Sequence, residues 1–223
     1  MPSSTPIPDA AQLWFAVTLA CLGLHLFAEF RNWRPLIVVT KLAASTAFLL
    51  TALHAGAMAT LWGRCLFAGL ALSWVGDAAL LGRARAAFLT GLVAFLLGHV
   101  AYCVAFVIHG VDLGVALRVA PLVIVVAAVV EVWLRPHVER DMRLPVRAYI
   151  VVISTMLTLA FAAWSAGASH LLLLGALSFY VSDLAVARDR FVRTDFFNRL
   201  WGLPAYYLGQ LCLALCVLGL RSV

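Results

Sequence analysis

FLTGLVAFLLGHVAYCVAFVI, residues 88–108, runs for 21 positions without an Asp, Glu, Lys or Arg. At 1.5 Å per helical residue it is about 30 Å long, the thickness of a bilayer's hydrocarbon core. Lipid offers the backbone no hydrogen-bond partners, so a run of this kind is helical. The rest of the chain repeats the pattern. Apolar stretches near 10–28, 35–54, 62–82, 115–134, 146–165, 169–187 and 203–220 complete a set of eight spans. Hydrophobic residues make up 65% of the 223, charged ones 12%, and the mean hydropathy of +1.03 excludes an ordinary soluble domain. The expected architecture is therefore all-α: one polytopic transmembrane domain over 1–223 with eight transmembrane helices.

The formal charge of +6 would fit a nucleic-acid partner, but its distribution gives another reason for it. Arg31, Arg34, Arg83, Arg85, Arg135, Arg140, Arg143, Arg147, Arg188, Arg190, Arg193 and Arg199 fall in or beside the links after spans one, three, five and seven. The other links and ends hold Arg64, Arg118 and Arg221. The positive-inside rule then places the Arg-rich links in the cytoplasm and both termini outside. MPSSTPIPDA at the N-terminus has no basic region, so the first span is expected to be a retained helix. Arginine outnumbers lysine 15 to 1 in an alanine-rich chain, a composition that points to a GC-rich bacterial source and its inner membrane.

Against this background two carboxylates stand out: Asp77 in SWVGDAAL (73–80) and Asp183 in FYVSDLAV (179–186). A carboxylate inside a span is costly enough to need a partner, a water pocket or a chemical task. Arg83 follows Asp77 by six residues and Arg188 follows Asp183 by five, which puts both at similar depth, about 8–9 Å below the charged boundary. Near that level lie Tyr149, Tyr206 and Tyr207, the latter two expected to open the last span after Pro204, and Lys41, the only lysine. Taken singly, such tyrosines belong more often to the aromatic belt. His99 is deep in the fourth span, where an interhelical hydrogen bond is its default role. Glu29 and Glu131 are expected to snorkel with Arg31 and Arg135. Five cysteines, Cys21, Cys65, Cys103, Cys212 and Cys216, read as small packing residues.

Two echoes link the halves: WVGD (74–77) with YVSD (180–183), and FLLGH (95–99) with YYLGQ (206–210). They pair spans three and four with seven and eight, as a weak parallel 4+4 repeat would.

Two poorly solvated carboxyls that repel one another cannot both be ionised, so one is expected to keep its proton and act as an acid beside a base. No Gly-x-Ser-x-Gly elbow, zinc-ligand spacing or phosphate-binding glycine loop is present, and no cofactor is expected. The reaction that suits such a pair is acid-assisted hydrolysis through a cationic intermediate. A substrate reaching a site in the membrane is a lipid. The main alternative is a small transporter or lipid-binding protein whose aspartates carry protons. A metal-dependent hydrolase built on His99 is a third, opposed by the position of His25, His54, His109 and His170 elsewhere in the chain.

SWVGDAAL, AFLTGLVAFLLGHVAY (87–102), ERDMRLPVRAYIVVISTM (139–156), GALSFYVSDLAVARDRF (175–191) and LPAYYLGQLCLAL (203–215) together resemble, in order, the blocks of the YhhN-like lysoplasmalogenase family. The likeness takes in the Lys41 region, although KLAAS (41–45) lacks the proline that the family pattern often has after the lysine. The resemblance implies eight spans and hydrolysis of the vinyl-ether bond of lysoplasmalogens, giving a fatty aldehyde and glycerophosphocholine or glycerophosphoethanolamine. It implies that Asp77 and Asp183 are the acidic catalytic positions, with Lys41, His99, Tyr149, Tyr206, Tyr207 and Gln210 on other motif positions. Protonation of an enol ether gives an oxocarbenium ion that water captures, which needs neither metal nor covalent nucleophile. Arg188, Arg190 and Arg193 are placed to hold a lysophospholipid's phosphate, or serve only as topology charges.

Overall fold

The computed structural model describes residues 7–218, and all regular structure among them is helical. Eight α-helices follow one another: α1 Asp9–Phe30, α2 Arg34–His54, α3 Leu61–Leu80, α4 Arg85–His109, α5 Leu113–Leu134, α6 Arg143–Ser165, α7 His170–Ala187 and α8 Phe196–Leu215. Short 3-10 turns precede α3 and α6, and a π turn, Arg188–Val192, extends α7. Arg221 and the first six residues lie outside the described residues.

Seven helices start and end within three residues of the positions expected from hydropathy. The eighth does not. It begins at Phe196, seven residues before the expected 203, because Asp195 caps it: the side chain accepts from the Asn198 N–H at 3.1 Å. Pro204 therefore sits inside α8 rather than at its start. A proline there cannot bond the carbonyl one turn back, a defect that membrane helices tolerate when neighbours or side chains compensate. As a result Tyr206 and Tyr207 lie in the middle of α8, not at its opening.

Six helices, α1, α2, α4, α5, α6 and α7, have the length and apolar composition of a membrane span. In α3 and α8 the apolar content is diluted by Arg64 and Asp77 and by Asn198, Arg199, the tyrosine pair and Gln210. The chain is thus an all-helical, multi-pass membrane protein. α5 turns Leu117, Leu122, Ile124, Val129 and Val132 outward, all at least 60% exposed, as a lipid-facing helix does.

Consecutive helices pack as hairpins, α1 with α2, α3 with α4, α5 with α6 and α7 with α8. α2 also packs on α3 and α8, while α6 packs on α7 and α4. Small residues set the closest crossings. A methyl group added at Gly98 would come within 3.1 Å of the Gly69 carbonyl oxygen, and one at Gly209 within 3.1 Å of the Gly175 carbonyl oxygen. Glycine lets the two backbones approach at each place, as small residues do at membrane helix interfaces. Gly69 precedes Asp77 by eight residues, and Gly175 precedes Asp183 by eight. The same glycine contact therefore recurs at the same distance from each aspartate.

Candidate functional site

A cavity of about 610 Å³ opens within the helix ends that carry the Arg-rich links. Lys41, Asp77, Tyr149, Asp183, Arg190 and Tyr206 line it, while His99, Tyr207 and Gln210 stand directly behind that lining. Six helices, α2, α3, α4, α6, α7 with its π turn, and α8, supply these nine side chains. Each aspartate has its own set of partners.

Asp77 is 2% exposed on α3. Lys41 Nζ is 3.2 Å from its Oδ1, and both Ser45 (2.5 Å) and Tyr206 (2.7 Å) donate hydroxyl hydrogens to its Oδ2. Lys41 and Ser45 are one turn apart on α2 and so project from one face toward α3. Tyr207 OH donates to the Lys41 carbonyl oxygen at 3.4 Å, which ties α8 to α2 behind the pair. One ammonium and two hydroxyl donors compensate the buried carboxylate.

Asp183 on α7 has a different environment. Tyr149 on α6 donates to its Oδ2 at 2.7 Å. His99 Nε2 lies 3.7 Å from the same oxygen, and no hydrogen-bond partner reaches that nitrogen among the described residues. The other ring nitrogen, Nδ1, donates to the Phe95 carbonyl oxygen one turn back at 2.6 Å. Phe179 packs edge-on against both His99 (centroids 4.6 Å apart) and Tyr206 (5.5 Å). The Phe179 ring thus lies between His99 of one cluster and Tyr206 of the other. Gln210 takes no direct part: its Oε1 accepts from Tyr102 OH at 3.0 Å, within a buried layer that includes Ser73.

Toward the open end the lining becomes charged. Of Arg188, Arg190 and Arg193, only Arg190 lines the cavity, with its guanidinium 4.3 Å above the Phe88 ring. Arg188 and Arg193 instead pair with Asp195 at 3.2 and 3.3 Å, and Arg188 also donates to Asn198. Desolvation pushes the Asp195 carboxyl up, but the Asn198 N–H and the two guanidiniums outweigh it and hold the group below its usual range. Arg34, Arg83 and Arg199 join Arg190 on the lining. Arg34 donates to the Leu81 carbonyl oxygen.

Three expectations need correction here. Glu29 pairs with Arg199 at 2.8 Å, not with Arg31, because α1 packs against α8. Glu131 pairs with Arg147 at 2.5 Å across the α5–α6 hairpin rather than with Arg135. His25 is not remote from the site: it lines the same cavity, fully buried, with Nδ1 2.9 Å from Thr40 Oγ1 and Nε2 3.8 Å from Glu29. Among the described residues no three His, Cys, Asp or Glu side chains converge as a metal-holding group.

Ser45 and the Phe179 ring were not read from the sequence. Ser45 had a signal, its i, i+4 spacing from Lys41. Phe179 had none, since one phenylalanine among 13 carries no mark of its place.

No solved structure matches the chain. Its sequence is 28% identical over 228 residues to the lysoplasmalogenase TMEM86A of Bos taurus, covering 97% of this chain and 83% of that protein. It is 31% identical over 213 residues to the lysoplasmalogenase TMEM86B of Homo sapiens, covering 95% and 79%. Residues 36–217 match the YhhN family, a stretch that takes in the site side chains of α2, α3, α4, α6, α7 and α8. The chain belongs to the YhhN family.

Proposed function

We propose that this protein is a lysoplasmalogenase-type hydrolase, which adds water across the vinyl ether of a single-chain alkenyl glycerophospholipid and releases a fatty aldehyde and a glycerophosphodiester. The observation that carries the reading is the convergence of Asp77 and Asp183 on one cavity, each with its own donors, in a chain whose relatives are named lysoplasmalogenases. The cavity suits such a lipid. Leu80, Leu92, Leu134 and Ile150 give it apolar walls, and Arg83 and Arg190 at the charged end suit the phosphate. In this reading Asp77 and Asp183 are catalytic. Lys41, Tyr149, Tyr206 and Arg190 orient the aspartates and substrate from the lining, with His99, Tyr207 and Gln210 supporting them from behind.

The same proposal includes a single domain crossing the membrane eight times, with both termini outside and the charged end of the cavity at the cytoplasmic face. It also includes an internal 4+4 parallel duplication. The duplication is supported by the matched glycine contacts and by the matched packing of α2 on α3 and α8 with that of α6 on α7 and α4. Aldehyde release from a lyso-vinyl-ether phospholipid by the purified protein in detergent tests the activity. Steady release above the uncatalysed rate is expected. Its absence, with the protein monodisperse and folded, overturns the reading in favour of a carrier.

A further inference from the structure

The two aspartates differ in what surrounds them, and the difference fixes where a proton is held. His99 Nδ1 lies 2.6 Å from a backbone carbonyl oxygen, which can only accept, so Nδ1 carries the ring hydrogen. In the neutral ring of this buried histidine Nε2 is then a bare lone pair facing Asp183 Oδ2 at 3.7 Å. Asp183 Oδ2 accepts from Tyr149, but Nε2 has no donor, so two acceptor atoms face each other in a buried site unless a proton belongs to the pair. No lysine or arginine lies within ion-pair distance of Asp183 among the described residues, and Tyr149 is a neutral donor. An isolated imidazolium–carboxylate would bury two charges, whereas a carboxylic acid beside a neutral imidazole buries none. Asp77 is the opposite case, with Lys41, Ser45 and Tyr206 all donating to a carboxylate.

Resting on the hydrolase reading above, we infer that Asp183 holds the catalytic proton, with the His99 lone pair facing it, while Asp77 is the standing carboxylate. Asp183 gives its proton to the outer carbon of the vinyl ether, and the C=C pair forms that new C–H bond. The inner carbon and the ether oxygen share the resulting positive charge, which the Asp77 carboxylate faces. Water adds to that carbon and Asp77 takes one of its protons, giving a hemiacetal. The C–O bond to the glycerol then breaks as Asp77 returns this proton to the leaving oxygen. The remaining hydroxyl proton passes to Asp183, so the aldehyde is formed and both carboxyls are restored. The net change is addition of one water. His99 acts as a positioning residue in this scheme because it touches Asp183 and not the reacting carbon.

Infrared spectroscopy of the full-length protein in detergent, without substrate, tests the assignment. The carbonyl stretch of a protonated carboxyl is expected in the wild type, retained in Asp77→Asn and Asp183→Glu, and lost in Asp183→Asn. His99→Phe keeps the ring but removes the lone pair, so it should shift that band and lower kcat roughly 10-fold or more with little change in KM. Absence of the band, its loss in Asp77→Asn, or an unchanged band in His99→Phe overturns the inference. The measurement is independent of the activity. A band assigned to Asp77 in an active hydrolase refutes this inference alone, whereas the expected bands in a protein that releases no aldehyde refute the hydrolase reading alone.

Discussion

At the residue scale the site depends on how each buried charge is compensated. Asp77→Asn and Asp183→Asn keep side-chain volume but remove, respectively, the carboxylate and the transferable proton. Each should lower aldehyde release by about 10²–10⁴-fold, the usual range for acid–base groups, with circular dichroism unchanged. Near wild-type turnover in either variant would refute the two-carboxylate mechanism. Lys41 gives a prediction about stability as well. Its ammonium is 3.2 Å from a carboxylate that is almost wholly buried, so Lys41→Met leaves Asp77 charged without its cation. Breaking such a pair costs about 3–5 kcal/mol, and replacing both members by apolar residues costs far less. Thermal unfolding in detergent should therefore show a large drop for Lys41→Met and substantial recovery in the Lys41→Met/Asp77→Leu double variant, which stays inactive. Equal losses in the single and double variants would mean that the pair contributes little to stability.

At the scale of the element, two helix crossings hold the aspartates in register. Gly98 on α4 faces Gly69 on α3, and Gly209 on α8 faces Gly175 on α7. A larger side chain at either position must push backbone, because the atom it meets is a carbonyl oxygen. Gly98→Val and Gly209→Val should each destabilise the fold by about 1–3 kcal/mol, the usual cost of overpacking. Gly23→Ala on α1 meets nothing within 4 Å and should show no loss. Melting temperatures of the three variants measure this, and a stable, fully active Gly98→Val would contradict the close crossing. Activity should fall with stability at both crossings, since a separation of α3 from α4 moves Asp77 away from the His99 side of the site.

On the scale of the whole molecule, the site exists only when six helices are assembled around it. The groups that contact the Asp77 and Asp183 carboxylates are side chains of this chain, and no cluster of three potential ligands occurs among the described residues. Prolonged treatment with EDTA, or addition of zinc, should leave aldehyde release within about twofold of the untreated protein. A catalytic zinc normally takes three protein ligands, so loss of activity restored by one specific metal would require a ligand set outside this arrangement.

Composition and apolar run length determined the fold class and most helix bounds, because lipid imposes helix on any long uncharged stretch. They misplaced the start of α8, where the Asp195 cap outweighed the proline as a start signal. The cost of ionisable groups in hydrocarbon made Asp77, Asp183, Lys41 and His99 conspicuous from residue type and depth alone. What the sequence could not assign was the pairing. Lys41 belongs to Asp77 and His99 to Asp183 because α2 packs on α3 while α6 packs on both α4 and α7, and contacts between residues as distant as Asp77 and Tyr206 leave no periodic trace. For the same reason Arg31 and Arg135, the nearest arginines along the chain, are not the partners of Glu29 and Glu131, and other helices supply Arg199 and Arg147 instead. Hydropathy places side chains along the membrane normal, and only the packing of helix on helix decides which of them meet at a given depth.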